Sequence, residues 1–133
     1  MDNTILELSK YRLERAKEDL RTAQNNFFNN SFSQSINRSY YSIFHSLRAL
    51  LAFDRFDSRK HSGIISYFNQ YYIKTGKFDS QYSKILKKAE SLRIDSDYRD
   101  FFVPTREDAE TQLQNAEEFV CKIEEYINTE ILK

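Results

Sequence analysis

The sequence predicts an all-α fold, an up-and-down bundle of four to five helices that forms one domain over residues 1–133. Two glycines and one proline are far below average usage, so the chain has few residues for the many turns that short strands require. Apolar residues recur every three or four positions in several long stretches, which is the period of an amphipathic helix. A length of 133 residues suffices for one buried core but is short for two domains.

The charge balance and the single cysteine exclude several classes of protein. Lysine plus arginine number 20, and aspartate plus glutamate also number 20, which argues against coating nucleic acid through bulk charge but leaves a local basic patch open. Cys121 excludes an internal disulfide, fits a reducing compartment, and is expected to be buried beside Val120. No leader and no apolar run of membrane-spanning length is visible, so we expect a soluble, cytoplasmic protein with no membrane partner.

The first helix is predicted over about Asn3 to Phe28. Its narrow apolar stripe steps by three and four residues: Leu13, Ala16, Leu20, Ala23 and Phe27. The run Asn29-Asn30-Ser31 breaks this pattern, and Ser33 is the predicted N-cap of the second helix.

The second helix, about residues 33–53, is predicted to be the central one. One face is broadly apolar: Ile36, Tyr40, Ile43, Phe44, Leu47, Leu50 and Leu51. The other face carries small residues around two functional groups: Arg38, Ser42, His45, Ala49 and Ala52. Small residues allow a second backbone to come close, so the helix is predicted to pack on both sides.

Three further helices follow. The third is predicted over about residues 60–74 and is ended by Gly76. The fourth is predicted from Asp79 or Ser80 to Leu92, before a polar link from Asp95 to Pro104. Thr105 with Asp108 approximates a capping box for the last helix, which runs to about Ile131.

Arg38 and His45 are the candidate catalytic pair. Seven residues are almost two turns, so both side chains point the same way, about 10 Å apart along the axis. Histidine can take a proton from a 2'-hydroxyl, and arginine offers a charged fork to phosphate oxygens. A symmetric dimer formed through the small-residue face would supply the second proton-transfer group. The structural alternative is that His45 is a hydrogen-bonded packing residue.

Three segments in order resemble HEPN-domain proteins. The stretch NRSYYSIFH at residues 37–45, followed by RALL at 48–51, resembles the family's N-R-A-Y-Y-A-x-F-H helix and its Ala/Leu-rich continuation. KHSGIISYF at 60–68 resembles K-x-H-S-G-x-I-x-x-F, and RIDSDY at 93–98 resembles R-x-x-x-D-Y. The stretch from Asp108 to Ile127 fits the family's terminal helix, so the likeness covers nearly the whole chain.

The resemblance implies a helical bundle that commonly dimerises. Many HEPN proteins are metal-independent ribonucleases, often toxins, whose signature is an arginine, four to six residues and a histidine. Arg38 and His45, with six residues between them, match the longer form. Other members bind nucleotides or partner a small nucleotidyltransferase. In one toxin group a tyrosine two positions after the histidine is modified by the partner, but Leu47 stands there in this chain.

Several other residues are candidates for binding or support. His61 is predicted to start the third helix, where it could help bind a phosphate or be a capping or tyrosine-bonded histidine. Gly63 is predicted to permit close packing. Tyr40 is predicted to be core, and Tyr41 to border Arg38 and order the site.

The spacing of Arg93 and Asp97 predicts an ion pair if the fourth helix continues that far. The preferred interpretation is a structural pair that orients Tyr98, with support of the site as the alternative. Lys84, Lys87 and Lys88 either attract RNA or form a solvated face. The two histidines lack a paired carboxylate motif, so we expect no metal site and no cofactor.

The leading hypothesis is therefore a HEPN-type, toxin-like protein that cleaves RNA without metal, as a homodimer, under control of an antitoxin or nucleotidyltransferase partner. His45 would be the general acid/base and Arg38 would stabilise the phosphorane, supported by Asn37 and Tyr41. The alternative is a non-catalytic module that binds a nucleotide or a nucleotidyltransferase. A third option is an assembly domain whose polar face is a dimer contact.

Overall fold

Five α-helices account for most of the chain, and the computed structural model describes residues 2–133. In chain order they are α1 Asn3–Phe28, α2 Phe32–Leu51, α3 His61–Phe68, α4 Ser80–Tyr98 and α5 Arg106–Tyr126. A 3₁₀ turn at Ala52–Asp54 extends α2, and single π turns at Asn69–Ile73 and Ile127–Ile131 extend α3 and α5. No strand occurs within residues 2–133. The predicted all-α bundle is confirmed.

Side-chain caps set the starts of two helices where the sequence predicted them. Asp79 Oδ1 accepts a hydrogen bond from the backbone N–H of Gln81 at 3.0 Å. Thr105 and Asp108 form a reciprocal capping box at the start of α5. The Ser33 cap was wrong. Asn30 adopts a left-handed φ of 61° that turns the chain earlier, so α2 begins at Phe32 and Ser33 lies in its first turn.

The central helix is α2, which packs against α1 on one side and against α4 and α5 on the other. Its apolar face forms the middle of an aromatic-rich core. That core includes the fully buried side chains of Tyr40, Ile43, Leu47, Phe68 and Phe119. Burial of each such side chain stabilises the fold by about 1.5–3 kcal/mol. The prediction that this helix packs on both sides is confirmed.

The small-residue face of α2 lies against α1. Ser42 and Ala49 are completely buried, and the Ser9 hydroxyl donates to the backbone carbonyl of Ala49 at 2.8 Å. The Ser35 hydroxyl similarly donates to the carbonyl of Ala23 at 2.9 Å. The interpretation of this face as a dimer contact was wrong, because α1 of the same chain already occupies it.

The fourth helix is longer than predicted. It continues through Asp95 to Tyr98, so the expected polar link from Asp95 was wrong over its first residues. Arg93 is buried and its Nη1 lies 3.9 Å from Asp97 Oδ2. This i,i+4 pair supports the extra turn, and the loop begins only at Arg99.

Two remaining expectations concern α3 and α5. Gly76 has a φ of 78° in the turn after α3, as predicted for a glycine that ends a helix. Cys121 is exposed, so its predicted burial was wrong. Successive helical residues are rotated by about 100°, which carries Cys121 away from the core although its neighbour Val120 is buried. Within residues 2–133, no helix has both the length and the apolar character that a bilayer span requires.

Candidate functional site

The Arg38 guanidinium is held by two neighbours. Its Nη1 donates to Asp19 Oδ1 of α1 at 3.0 Å. Its Nε and Nη2 donate to the Asn37 side-chain oxygen at 3.0 and 2.8 Å. The guanidinium carbon also lies 5.0 Å from the centre of the Tyr41 ring, within range of a cation–π interaction. Asn37 and Tyr41, both predicted to support the site, therefore contact Arg38 directly.

The His45 side chain lies beneath α1 and is 9% exposed. Its Nε2 is 3.5 Å from Asp19 Oδ2. His45 Nδ1 and Asp19 Oδ2 are both buried without a hydrogen-bond partner among the described residues. One carboxylate of α1 thus touches both members of the predicted catalytic pair, which the helical spacing alone had placed about 10 Å apart along the axis.

His45 is neutral near pH 7. Burial, followed by the positive charge of nearby arginines, lowers its pKa from 6.5 to about 4. The arginines responsible are Arg15, Arg48, Arg38 and Arg12. Burial also raises the pKa of Asp19, against the opposing effect of Arg38. Because His45 is neutral, its contact with Asp19 is not an ion pair.

A series of polar side-chain contacts connects Arg38 to α4. The Asn37 amide nitrogen donates to Asp97 Oδ2 at 3.0 Å, and the same oxygen faces Arg93 at 3.9 Å. Beside these contacts lies a cleft of about 440 Å³. It is lined by Thr22, Asn26, Ser33, Gln34, Asn37, Arg38 and Asp97. The cleft exposes one side of Arg38, whereas His45 is not part of its wall.

His61 is a tyrosine-bonded histidine, the structural interpretation preferred from the sequence. Its Nδ1 lies 2.9 Å from the Tyr40 hydroxyl, and its ring centre lies 4.1 Å from that of Phe44. Tyr40 is completely buried, as predicted. The Arg93 guanidinium lies 4.7 Å from the centre of the Tyr40 ring, so α4 also supports this group.

Tyr98 is not held by the ion pair that was predicted to orient it. The ion pair between Arg93 and Asp97 is present, but Tyr98 is 74% exposed. No hydrogen bond joins it to another side chain of the part of the chain that the structure describes. The expectation that the pair orients Tyr98 was wrong, and the alternative, support of the site through Asn37, agrees with the contacts. The lysines at 84, 87 and 88 lie on the exposed face of α4.

Asp19 is the main residue that the sequence reasoning missed. It lies three residues after Ala16 and four before Ala23, both of which are buried. An acidic residue at the edge of the apolar stripe of α1 indicates that its side chain borders the buried face, and this signal could have identified Asp19. Arg12 was also missed, although its Nη1 donates to the carbonyl of Arg48 at 3.1 Å. No group of three or more His, Cys, Asp or Glu side chains within residues 2–133 is arranged to hold a metal ion.

Fold and site together define a class of protein, an all-α bundle whose central helix carries an arginine and a histidine against an acidic residue of its first helix. A family model described as "HEPN domain" matches residues 9–126. The chain therefore belongs to the HEPN family, which confirms the resemblance of its three motifs.

Named relatives extend over nearly the whole chain. A protein of Methanocaldococcus jannaschii named "Putative toxin MJ0605" is 35% identical, covering 92% of this chain and 91% of its own. A Thermotoga maritima protein named "UPF0332 protein" is 30% identical, covering 89% of each chain. The crystal structure of TT1696 from Thermus thermophilus superposes with a TM-score of 0.75 at 19% identity, covering 88% of this chain and 96% of its own. At that identity the structural likeness concerns the fold alone.

Proposed function

We propose that this protein is a toxin-like ribonuclease that cleaves RNA without a metal ion, with Arg38 and His45 as its catalytic residues. The observation that carries the proposal is the contact of both side chains with Asp19, at 3.0 Å for Arg38 and 3.5 Å for His45. The side chain proposed to bind phosphate and the side chain proposed to transfer a proton therefore lie on either side of the same carboxyl group. Two relatives whose names contain the word toxin support the toxin-like part of this proposal.

The proposed reaction assigns one role to each residue. Neutral His45 accepts the proton of the 2'-hydroxyl as the 2'-oxygen bonds to phosphorus. Arg38 stabilises the charge on the phosphorane oxygens. The bond from phosphorus to the 5'-oxygen then breaks, leaving a 2',3'-cyclic phosphate and a 5'-hydroxyl. The leaving oxygen takes its proton from a second acid.

The second acid is expected from a second copy of the chain. Because the pKa of His45 is about 4, its imidazole is unprotonated at neutral pH and can accept a proton, although it is a weaker base than an ordinary histidine. The His45 of the second copy is equally unprotonated, so the acid is a different group of that copy. The proposed homodimer therefore forms through the open side of the Arg38 cleft, since α1 occupies the small-residue face of α2. An antitoxin or a small nucleotidyltransferase is the proposed controlling partner.

One observation favours a non-catalytic alternative. The cleft beside Arg38 is lined by Asn37 and Asp97 but not by His45, which is 9% exposed. A nucleotide could bind there with its phosphate on Arg38 and its polar base edge on Asn37 or Asp97, without cleavage. In that case the protein would be a nucleotide-binding or nucleotidyltransferase-partner module.

The deciding experiment compares labelled structured and unstructured RNA in chelator. Wild type is compared with Arg38→Ala and His45→Ala, and with Lys74→Ala as a change of an exposed cation that does not line the Arg38 cleft. Loss of cleavage in the first two variants, with circular dichroism unchanged, is the expected result. If wild type does not cleave, or if cleavage survives both substitutions, the nuclease assignment is wrong. Nucleotide binding that needs Arg38 but not His45 would then establish the alternative.

A further inference from the structure

A second cleft lies at the other end of the same helix, where α2 meets the start of α3. Its volume is about 480 Å³. It is lined by Phe44, Arg48, Asp57, Ser58, Arg59 and His61. None of these residues lines the Arg38 cleft, so this is a separate concave surface.

The second cleft has an excess of positive charge. Asp57 is shared by two guanidiniums, accepting from Arg48 Nη2 at 2.9 Å and from Arg12 Nη2 at 3.2 Å. Arg59 is exposed and makes no ion pair with any residue between 2 and 133. Among the lining residues, Arg48 and Arg59 therefore stand against the single carboxylate of Asp57, in a chain whose total charge is zero. Such a local excess attracts an anion.

His61 presents a fixed ring to this cleft. Its Nδ1 is engaged by the Tyr40 hydroxyl at 2.9 Å, and Phe44 packs on the ring with centres 4.1 Å apart. Burial raises the pKa of Tyr40 to about 12, so the phenol keeps its proton and can donate it to Nδ1. The neutral imidazole then carries its own hydrogen on Nε2, for which residues 2–133 provide no acceptor. This N–H is a donor available to a ligand.

The tight turn before α3 shapes the cleft. The backbone N–H of Lys60 donates to Ser58 Oγ at 3.2 Å. A Cβ atom added at Gly63 would lie 2.4 Å from that same oxygen. Only a glycine at this position lets the Ser58 turn press against the start of α3, which brings Arg59 and Ser58 beside His61.

We propose that this cleft is a phosphate-binding site, with Arg48 and Arg59 as the charged donors and His61 as an oriented neutral donor. Guanidiniums match phosphate oxygens in geometry and charge. Arg38 and Arg48 are ten residues apart on α2, or about 15 Å along its axis. If the proposed function is correct, the site takes a backbone phosphate of the RNA strand whose scissile phosphate lies at Arg38. Phosphate binding at His61 does not itself depend on cleavage.

The His61 ring provides the readout. Burial and the charges of Arg93 and Arg48 lower its pKa, while Glu90 acts in the opposite direction. A bound phosphate is expected to raise this pKa, because it adds negative charge beside the ring. The histidine ring signals are followed by NMR while three probes are added separately: inorganic phosphate, uridine monophosphate, and a 2'-O-methyl oligoribonucleotide that has no 2'-hydroxyl for self-cleavage.

The expected result is a saturable shift of the His61 signal together with a higher pKa. Arg59→Ala is expected to weaken binding about tenfold, the scale of one charge-assisted hydrogen bond, whereas Lys74→Ala, at an exposed cation that lines neither cleft, leaves it unchanged. Arg59 is exposed, so its truncation does not disturb the core. Tighter binding of the oligonucleotide than of the mononucleotide assigns the site to a strand, and equal binding assigns it to a free nucleotide.

Two results would overturn the proposal: no saturable response at His61 to any probe, or an equal loss in Arg59→Ala and Lys74→Ala. The second result would mean that binding reflects total charge. The Arg38→Ala variant separates this test from the proposed function, since its His61 response should persist even if cleavage is lost or was never present.

Discussion

The Nε2 atom of His45 lies 3.5 Å from the Oδ2 atom of Asp19, and that oxygen has no hydrogen-bond partner among the described residues. Two polar groups are thus held close together in a buried place without satisfying one another. Buried polar groups in this condition cost stability, and they are more often found where function requires them. This relationship leads to the first three predictions.

Replacing the charge on Asp19 should stabilise the protein. Burial raises the pKa of Asp19 above its usual value, so placing the ionised carboxylate in the folded protein costs free energy relative to the unfolded chain. Asp19→Asn keeps an oxygen for Arg38 and removes that charge. We expect a gain of about 1 kcal/mol, typical of relieving an unfavourable functional-site group, and slower RNA cleavage. Urea unfolding at pH 7 measures the gain, with Glu7→Gln as the control at an exposed carboxylate of the same helix. A less stable variant would contradict this.

The stability contributed by His45 should depend on pH. Its pKa is about 4 in the folded protein and 6.5 in the unfolded chain. Between these values the unfolded chain binds more protons, so this contribution is present above about pH 6.5 and is lost as the pH falls toward 4. The full loss is about 3.5 kcal/mol, since one pKa unit corresponds to about 1.4 kcal/mol.

His45→Gln isolates this effect. Urea unfolding of the two proteins between pH 4 and pH 7 should give a difference in unfolding free energy that changes with pH in the stated direction. The lowered pKa of His61 contributes equally to both proteins and cancels. A difference that stays constant across the range would show that His45 titrates near its ordinary value.

The pH profile of cleavage should show a base of unusually low pKa. If His45 accepts the 2'-hydroxyl proton, the acidic limb of the single-turnover rate should fall near pH 4 rather than near pH 6.5. Cleavage rates from pH 3.5 to 8 measure this directly. Lys74→Ala, at an exposed cation, should give the same profile as wild type. An inflection between pH 6 and 7 would mean that substrate binding opens the site and exposes the histidine to solvent.

Gly63 should be required for space rather than for backbone freedom. A Cβ at this position would lie 2.4 Å from Ser58 Oγ and 2.9 Å from Ser58 Cβ. Gly63→Ala should therefore destabilise the protein by about 1–3 kcal/mol, the usual cost of overpacking. The double variant Gly63→Ala with Ser58→Gly should recover most of that loss. Thermal unfolding compares the three proteins.

Gly76 provides the matched control. Its φ is 78° and a Cβ there would meet nothing within 4 Å, so Gly76→Ala costs about 1 kcal/mol through backbone strain alone. Ser58→Gly should not rescue that variant. If the same change rescues both glycine variants, the steric argument at Gly63 is wrong.

Much of the fold could be predicted because it depends on local patterns. Apolar residues between Leu13 and Phe27 recur with the period of a helix. Asp79 and Thr105 are residues that cap helix N-termini, and each lies just before a helix. Gly76 follows the third helix. The family was also readable from three ordered motifs around Arg38, His61 and Arg93, and the match over residues 9–126 confirms it. Each of these signals spans only a few residues, so no knowledge of packing was required.

The candidate site was only half predictable. Periodicity placed Arg38 and His45 on one side of α2, but it contained no information about which residue of α1 would face them. Asp19 is 19 residues from Arg38, and its position there follows from how α1 packs across the small side chains of α2. The same packing buries His45 and lowers its pKa to about 4.

Local sequence thus determined the helices, their order and the family of this protein. Tertiary structure decided that the small-residue face of α2 belongs to α1, that Asp97 joins the site through Asn37, and that Cys121 faces outward. The physical reason is the range of the forces involved. Hydrophobic periodicity and capping act within one helix, whereas burial, pKa and the choice of polar partner depend on groups that only the packed chain brings together.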